Sequence, residues 1–131
     1  MARTVTPFLM FEGVAEEAMT FYVSLFGNSG IESVDRYGAG EPGAEGSVRL
    51  ARFTVSGQRL MCIDSPAKHA FGFTPSISMF VECESEAEQK DAFSRLSEGG
   101  SVLMPLDNYG FSTRFGWLND RYGVSWQLNL Q

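Results

Sequence analysis

Polar side chains that could orient a ligand alternate with apolar ones near the end of the chain. Ser125, Gln127 and Asn129 occupy every second position. The positions beside them hold Val124, Trp126, Leu128 and Leu130. A period of two residues is typical of a strand with one dry face and one wetter face. We therefore expect a ligand site on the polar row of this strand, at residues 124–130.

Other reactive side chains are isolated from one another in the sequence. Arg52 lies in the apolar stretch 47–55 and is either a surface residue or an anion-binding residue in a cavity. His69 is the only histidine and has no neighbouring cysteine or carboxylate pair that would indicate a metal or a catalytic triad. Cys62 and Cys83 lack disulfide or zinc spacing and are expected to be buried free thiols. No catalytic residue is predicted.

Composition narrows the class of protein. A chain of 131 residues with 44% hydrophobic and 20% charged residues fits one globular domain. Its net charge of −6 argues against a nucleic-acid partner, which would require a basic surface. No apolar run reaches the roughly 20 residues that cross a bilayer, and the N-terminal stretch reaches Glu12 too soon for a secretory segment. We expect a cytoplasmic protein with no membrane partner.

The predicted elements occur twice in the same order. The first half reads as strand 7–11, helix 14–26 and strands 31–37, 47–55 and 59–63. The second half reads as strand 77–83, a helix that ends before Gly99, and strands 102–104, 111–118 and 124–130. Corresponding apolar residues are Phe11 and Val81, each of which precedes a glutamate, and Leu25 and Leu96, near the helix ends. This repeat indicates two similar modules.

The repeat also predicts the architecture. We expect a single domain, 1–131, made of βαβββ modules 1–66 and 74–131 with a linker at 67–73. One such module cannot bury its sheet alone, so two must pack together. The expected fold is α+β, with the modules forming a curved mixed sheet that encloses a concave cleft. The sequence does not fix which row of each strand faces that cleft.

Four segments carry a resemblance to a known family. They are TPFLMFEGVAEEAMTFYVSLFGNSGIESVDRYG from Thr6, GSVRLARFTVSGQRLMCID from Gly46, SISMFVECESEAEQ from Ser76 and FGWLNDRYGVSWQLN from Phe115, of which the last is the most specific. Together they resemble the vicinal oxygen chelate superfamily, which includes glyoxalase I, extradiol dioxygenases and bleomycin-resistance proteins. The chain is most similar to the PhnB-like branch, often labelled 3-demethylubiquinone-9 3-methyltransferase. The resemblance spans nearly the whole sequence.

The resemblance implies a divalent metal held on the concave face by His and Glu side chains from both modules. The closing strand of metal-binding relatives has a pattern like D-x-x-G-x-x-x-E, which Asp120, Gly123 and Gln127 match with an amide in place of the carboxylate. The corresponding first strands, near 6–8 and 76–78, have no histidine. A neutral amide without an imidazole is a poor ligand set for zinc, nickel, iron or manganese. We expect no metal and no cofactor.

The methyltransferase label does not agree with the sequence pattern. Methyltransferases commonly bind S-adenosylmethionine on a Gly-rich turn between a strand and a helix of a doubly wound sheet. This chain has no G-x-G in such a place, and its repeat predicts a different sheet. Methyl transfer is therefore not expected.

The family resemblance leaves three functions open. The first is binding of a small molecule in the cleft, by a binding protein or a metal-independent enzyme. The second is a metal-dependent lyase or dioxygenase, which would need Asp64, His69 and a further acid to converge. The third is a non-catalytic resistance protein that sequesters a drug or metabolite.

For the first function, we expect a mostly apolar cavity with a few orienting polar groups. The candidate ligand-binding residues are Gln127, Trp117, Arg52, Phe8, Asn129 and Arg114. Gln127 could instead be a buried amide that bonds only its neighbours, and Trp126 is expected to pack in the core. A homodimer is expected because relatives of this fold commonly pair and sheet edges need to be covered.

Overall fold

The chain folds into two units of similar construction. The computed structural model describes residues 1–131. Its contacts divide the chain into Met1–His69 and Ala70–Gln131, and this boundary lies within the predicted linker at 67–73. That the units form a single domain stays a prediction.

The first unit contains one helix and four strands. Its elements are β1 Phe8–Phe11, α1 Ala15–Val23, β2 Gly30–Arg36, β3 Val48–Val55 and β4 Gln58–Asp64. The sheet order is β1-β4-β3-β2. Strand β1 runs parallel to β4, and the other neighbours are antiparallel.

The second unit repeats this arrangement. Its elements are β5 Ser78–Glu82, α2 Glu86–Ser97, β6 Ser101–Asp107, β7 Arg114–Asn119 and β8 Ser125–Leu130. The sheet order is β5-β8-β7-β6, with β5 parallel to β8. The predicted α+β class with two βαβββ modules is confirmed. The sheet is divided into two four-stranded sheets, one in each unit.

The largest differences from the predicted bounds are three residues at one end, in α1, β6 and β7. Helix α1 ends at Val23 instead of residue 26. For strand β6 the difference lies at its C-terminal end. It was expected to end at residue 104, before Pro105, but it continues to Asp107. Strand β6 is at the edge of its sheet and has a neighbouring strand on one side only. Pro105, which lacks an N–H, is tolerated there because no strand on the other side requires that donor. Strand β7 begins at Arg114, three residues later than predicted.

Each helix covers one face of its own sheet. Helix α1 contacts β2, β3 and β4 through the buried residues Ala15, Ala18, Met19 and Tyr22. Helix α2 contacts β6, β7 and β8, and its buried residues are Gln89, Ala92, Phe93 and Leu96. Neither helix has the length and hydrophobicity that crossing a membrane would require. We call the face of each sheet opposite its helix the distal face.

Candidate functional site

Nine side chains lie together on the distal face of the second sheet. The polar row of β8 stands between β5 and β7, and directly opposite residues in neighbouring strands share a face. Ser125 is paired with Ser78 and Asn119, Gln127 with Phe80 and Trp117, and Asn129 with Glu82 and Phe115. We call these nine residues the distal patch. It includes three of the six predicted ligand-binding residues: Gln127, Trp117 and Asn129.

A chain of hydrogen bonds runs through the patch. The indole Nε1 of Trp117 donates to Ser125 Oγ at 2.8 Å, and the Oγ atoms of Ser125 and Ser78 are 2.6 Å apart. Gln127 Nε2 donates to Ser78 Oγ at 3.1 Å. The carbonyl Oε1 of Gln127 accepts no hydrogen bond and is not fully buried, whereas Asn119 Oδ1 in the same patch is buried without a partner. The amide is therefore held in place with its acceptor unused.

Asn129 has a different environment from Gln127. It is buried, and its Oδ1 accepts a hydrogen bond from Ser112 Oγ at 2.5 Å. Its Nδ2 lies 3.4 and 3.3 Å from the two carboxylate oxygens of Glu82. Both ends of this amide thus face protein groups, and Asn129 positions Glu82.

Aromatic rings border the patch beside Asn129. The ring of Phe115 lies 6.3 Å from that of Phe80, 5.1 Å from that of Phe111 and 6.2 Å from that of Tyr109, measured between centroids. Phe80 and Phe111 are 54% and 59% exposed. Exposed rings next to fixed polar groups can supply apolar contact area to a ligand.

The structure places Arg114 on the other face of the same sheet. Its Nε donates to Gln89 Oε1 at 2.8 Å, and its two terminal nitrogens donate to the side chain and the carbonyl of Glu86, each at 3.0 Å. Residues 114 and 117 are an odd number of positions apart on β7, so alternation alone puts Arg114 and Trp117 on opposite faces. Arg114 fastens α2 to the sheet.

Gln89 completes this helix attachment and was not singled out from the sequence. It is fully buried, and its Nε2 donates to the carbonyls of Arg114 at 2.9 Å and Leu128 at 3.1 Å. The helical spacing of residue 89 from the buried residues Ala92, Phe93 and Leu96 is the only indication of this role in the sequence. The amide joins α2 to both β7 and β8.

Phe8 and Arg52 lie on the distal face of the first sheet. Met61 of β4 is paired with Phe8 on one side and with Arg52 on the other. Phe8 is 55% exposed, and the guanidinium of Arg52 is exposed with no hydrogen bond or ion pair. Both interpretations of Arg52, a surface residue or an anion contact, therefore stay open.

The carboxylate of Asp64 is used by the fold. It is buried and accepts hydrogen bonds from the backbone N–H groups of Gly13 at 2.8 Å, Ala15 at 2.9 Å and Val48 at 3.0 Å. These bonds fix the turn that leads into α1 and the start of β3. A carboxylate engaged with three donors has little capacity left for another ligand.

The side chains near Asp64 do not fit a divalent metal. His69 Nε2 lies 2.8 Å from the Oγ of Ser65, and no group of three His, Cys, Asp or Glu side chains in the structure could hold an ion. At the positions implied by the superfamily, the second sheet offers the amide of Gln127 and the hydroxyl of Ser78. This neutral donor set is a poor match for the metals concerned.

A cavity of about 200 Å³ lies in the first unit and is a weaker candidate. It is lined by Glu12, Gly13, Ala44, Ser47, Asp64, Ser65, Pro66, Ala67 and Lys68. The carboxylate of Asp64 is used by the fold, as described above, and the two serine hydroxyls on the cavity wall also have protein partners. Ser47 Oγ donates to the carbonyl of Ala44 at 2.6 Å, and Ser65 Oγ bonds His69. Most of its polar groups therefore serve the fold.

The two thiols are expected to be unreactive in the folded protein. Cys62 is buried as expected, whereas Cys83 is only half-buried. Burial raises the pKa of Cys62 to about 12 and that of Cys83 to about 11. Both thiols therefore stay protonated at neutral pH, with the thiolate fraction about a hundredfold or more below that of an unperturbed thiol.

We expect labelling by a thiol-specific disulfide reagent at pH 7.5 to be at least about a hundredfold slower in the folded protein than in urea. Rapid labelling without urea would contradict this.

Comparisons with known proteins agree with the fold and cover the whole chain. A family model described as 3-demethylubiquinone-9 3-methyltransferase matches residues 3–129. A PhnB protein from Bacillus cereus is 56% identical over 98% of this chain and 100% of its own, with a TM-score of 0.96. Two more distant structures show the fold alone. A glyoxalase-related enzyme from Fulvimarina pelagi is 17% identical over 99% of this chain and 89% of its own, with a TM-score of 0.60. The fosfomycin resistance protein FosX from Listeria monocytogenes is 11% identical over 100% of this chain and 94% of its own, with a TM-score of 0.64.

Proposed function

Since this chain belongs to the 3-demethylubiquinone-9 3-methyltransferase family, the PhnB-like branch of the vicinal oxygen chelate superfamily, we propose that it binds a small organic molecule on the distal patch. One observation carries this proposal. The hydrogen-bonded chain from Trp117 to Gln127 leaves the carbonyl of Gln127 fixed, accessible and unbonded. Binding sites typically combine a few oriented polar groups with apolar walls.

Three of the six predicted ligand-binding residues then have a defined part. Gln127 contacts the ligand through its amide, Trp117 forms a wall, and Asn129 positions Glu82. Phe8 and Arg52 stay candidates because both are exposed on the distal face of the first sheet. Arg114 is left out, since its guanidinium is engaged with α2.

Binding is better supported than a specific reaction. The patch contains one ionisable side chain, Glu82, and no pairing of a nucleophile with a base. Methyl transfer is not proposed, because each sheet is mixed instead of doubly wound and parallel. Metal-independent turnover and sequestration of a drug or metabolite both use the same binding step. A cytoplasmic homodimer without a nucleic-acid partner stays a prediction.

Replacing Gln127 with alanine tests the proposal. Ligands are first identified as compounds that raise the melting temperature, because a ligand that binds the native state stabilises it. Loss of one amide hydrogen bond is worth about 1 kcal/mol, so Gln127→Ala is expected to weaken the best ligand about five- to tenfold with little loss of stability.

The matched control is Gln58→Ala, in the turn that opens β4 of the first unit, where the amide is exposed and bonds only the carbonyl of Arg59. Calorimetric titration should give the wild-type affinity for this control. If Gln127→Ala also bound with wild-type affinity, Gln127 would not belong to the site.

A further inference from the structure

We infer that the ligand is an uncharged aromatic compound carrying a hydrogen-bond donor and acceptor in one group, as a carboxamide does; this inference rests on the proposed function of the distal patch. Three features of the patch lead to it. They are the unused hydrogen-bonding groups, the absence of a cation and the exposed aromatic rings.

The two serines leave one hydroxyl hydrogen unused. Ser125 Oγ accepts from Trp117, Ser78 Oγ accepts from Gln127, and the two hydroxyls share one further bond. Whichever hydroxyl donates in the shared bond, the hydrogen of the other has no protein acceptor. Ser125 is 1% exposed and Ser78 is only half-buried. Since buried groups are normally satisfied, Ser125 donates to Ser78, and the accessible hydroxyl of Ser78 retains the free hydrogen.

Gln127 supplies complementary groups beside that hydroxyl. One of its two Nε2 hydrogens goes to Ser78, which leaves the second N–H and the Oε1 carbonyl for a ligand. Ser78 and Gln127 together thus offer two donors and one acceptor. A ligand carbonyl can accept from the donors while an N–H of the same ligand group donates to Oε1. A carboxamide satisfies both requirements at once.

The charges on the patch disfavour an anionic ligand. Its nine side chains include the carboxylate of Glu82 and no lysine, arginine or histidine. The one arginine within the strands of this sheet, Arg114, is engaged by Gln89 and Glu86 on the opposite face. On this sheet a carboxylate ligand would lose its hydration and meet Glu82 without a compensating cation. Benzoate, one of the probes below, tests whether Arg52 of the first unit supplies one.

The rings beside the amide favour an aromatic ligand. Phe80 is the cross-strand partner of Gln127, and its ring leans towards Phe115 with 54% of its surface exposed. Phe111, 59% exposed, packs on Phe115 at 5.1 Å between centroids. A flat ring laid on Phe80 and Phe111 would gain offset or edge-to-face contacts in addition to burial of apolar surface.

The test compares four small probes by titration of nitrogen-15-labelled protein, with the indole N–H of Trp117 as the reporter. The probes are benzamide, benzoate, benzylamine and cyclohexanecarboxamide. Benzamide is expected to shift the Trp117 signal saturably. Benzoate is expected to bind at least about tenfold more weakly because the sheet offers it no cation. Benzylamine should be weaker by a similar factor, because its ammonium could pair with Glu82 but cannot accept from the donors of Ser78 and Gln127. Cyclohexanecarboxamide, which lacks an aromatic ring, should bind several-fold more weakly. Tighter binding of benzoate or benzylamine, or equal binding of cyclohexanecarboxamide, would overturn the inference.

Variants assign the effect to the patch. Gln127→Glu, which keeps nearly the same side-chain shape, should weaken the binding of benzamide about fivefold or more. Phe80→Ala, which removes an exposed ring, should have an effect of the same size. The control Gln58→Glu should leave the affinity for benzamide unchanged. Unchanged binding to Gln127→Glu would overturn the inference. If benzamide fails while another library compound shifts Trp117, the carboxamide class is wrong and the proposed function stands. If no compound shifts any signal of the patch, the proposed function fails as well.

Discussion

Asp120→Ala is expected to lower the free energy of unfolding by about 3 kcal/mol or more, since a buried donor left without its partner costs about 1–3 kcal/mol. Asp120 is 3% exposed, in the turn between β7 and β8. Its carboxylate accepts from the backbone N–H groups of Tyr122 at 2.8 Å and Val124 at 3.1 Å, and from the indole Nε1 of Trp126 at 2.9 Å. Alanine would leave all three donors without this acceptor, two of them in buried residues.

Urea denaturation of the variant measures this cost. The matched control is Asp91→Ala, because Asp91 is 68% exposed in its side chain and its ion pair with Arg95 spans 3.9 Å. That change is expected to alter stability by less than about 0.5 kcal/mol. Asp120→Asn, which keeps one acceptor oxygen, should fall between the two. If Asp120→Ala were as stable as Asp91→Ala, the carboxylate would not be what holds this turn.

Gly100→Ala is the second substitution with a large expected effect, a loss of about 3 kcal/mol from overpacking. A β-carbon at residue 100 would lie 2.1 Å from the carbonyl oxygen of Asn119 and 2.9 Å from the carbonyl carbon of Asp120. These are backbone atoms, so no side-chain rotation can relieve the clash. Strand β6 would have to move away from β7 where Ser101 is paired with Asn119.

Thermal unfolding provides the measurement, with an expected fall in Tm of about 10 °C. Gly72→Ala is the control in the same unit, because a β-carbon there would meet no atom within 4 Å and the backbone is not in the left-handed region. Equal melting temperatures for the two variants would show that β6 accommodates the extra methyl group by a small shift. Because Asn119 is a member of the distal patch, Gly100→Ala should also disturb ligand binding.

The residues Asp120, Gly123 and Gln127, which match the motif described above, have defined structural parts in this chain. Asp120 and Gly123 shape the turn before β8, and Gly123 adopts a positive φ of 91° that favours glycine. Gln127 stands where the relatives have a carboxylate, and its amide bonds Ser78. The first two motif positions thus shape the turn, and the last carries a neutral amide, in keeping with the proposal of a neutral ligand.

The sequence alone determined the modules and the polar row of β8. Strand alternation places Ser125, Gln127 and Asn129 on one face and Trp126 on the other, and Trp126 is buried as expected. The repeat of strand and helix patterns was enough to predict both βαβββ units, because each depends on local periodicity and turn residues.

Only the tertiary structure decided which residues from other strands meet that row. Ser78 and Phe80 are paired with Ser125 and Gln127 across 47 residues of sequence, through the parallel register of β5 and β8. Local periodicity assigns a side chain to a face but contains no information on the register between distant strands, which depends on how the whole sheet packs against its helix. The contact between Arg114 and Gln89 of α2 likewise depends on how the helix packs on the sheet. The same is true of the buried hydrogen bonds that Asp64 and Asp120 accept.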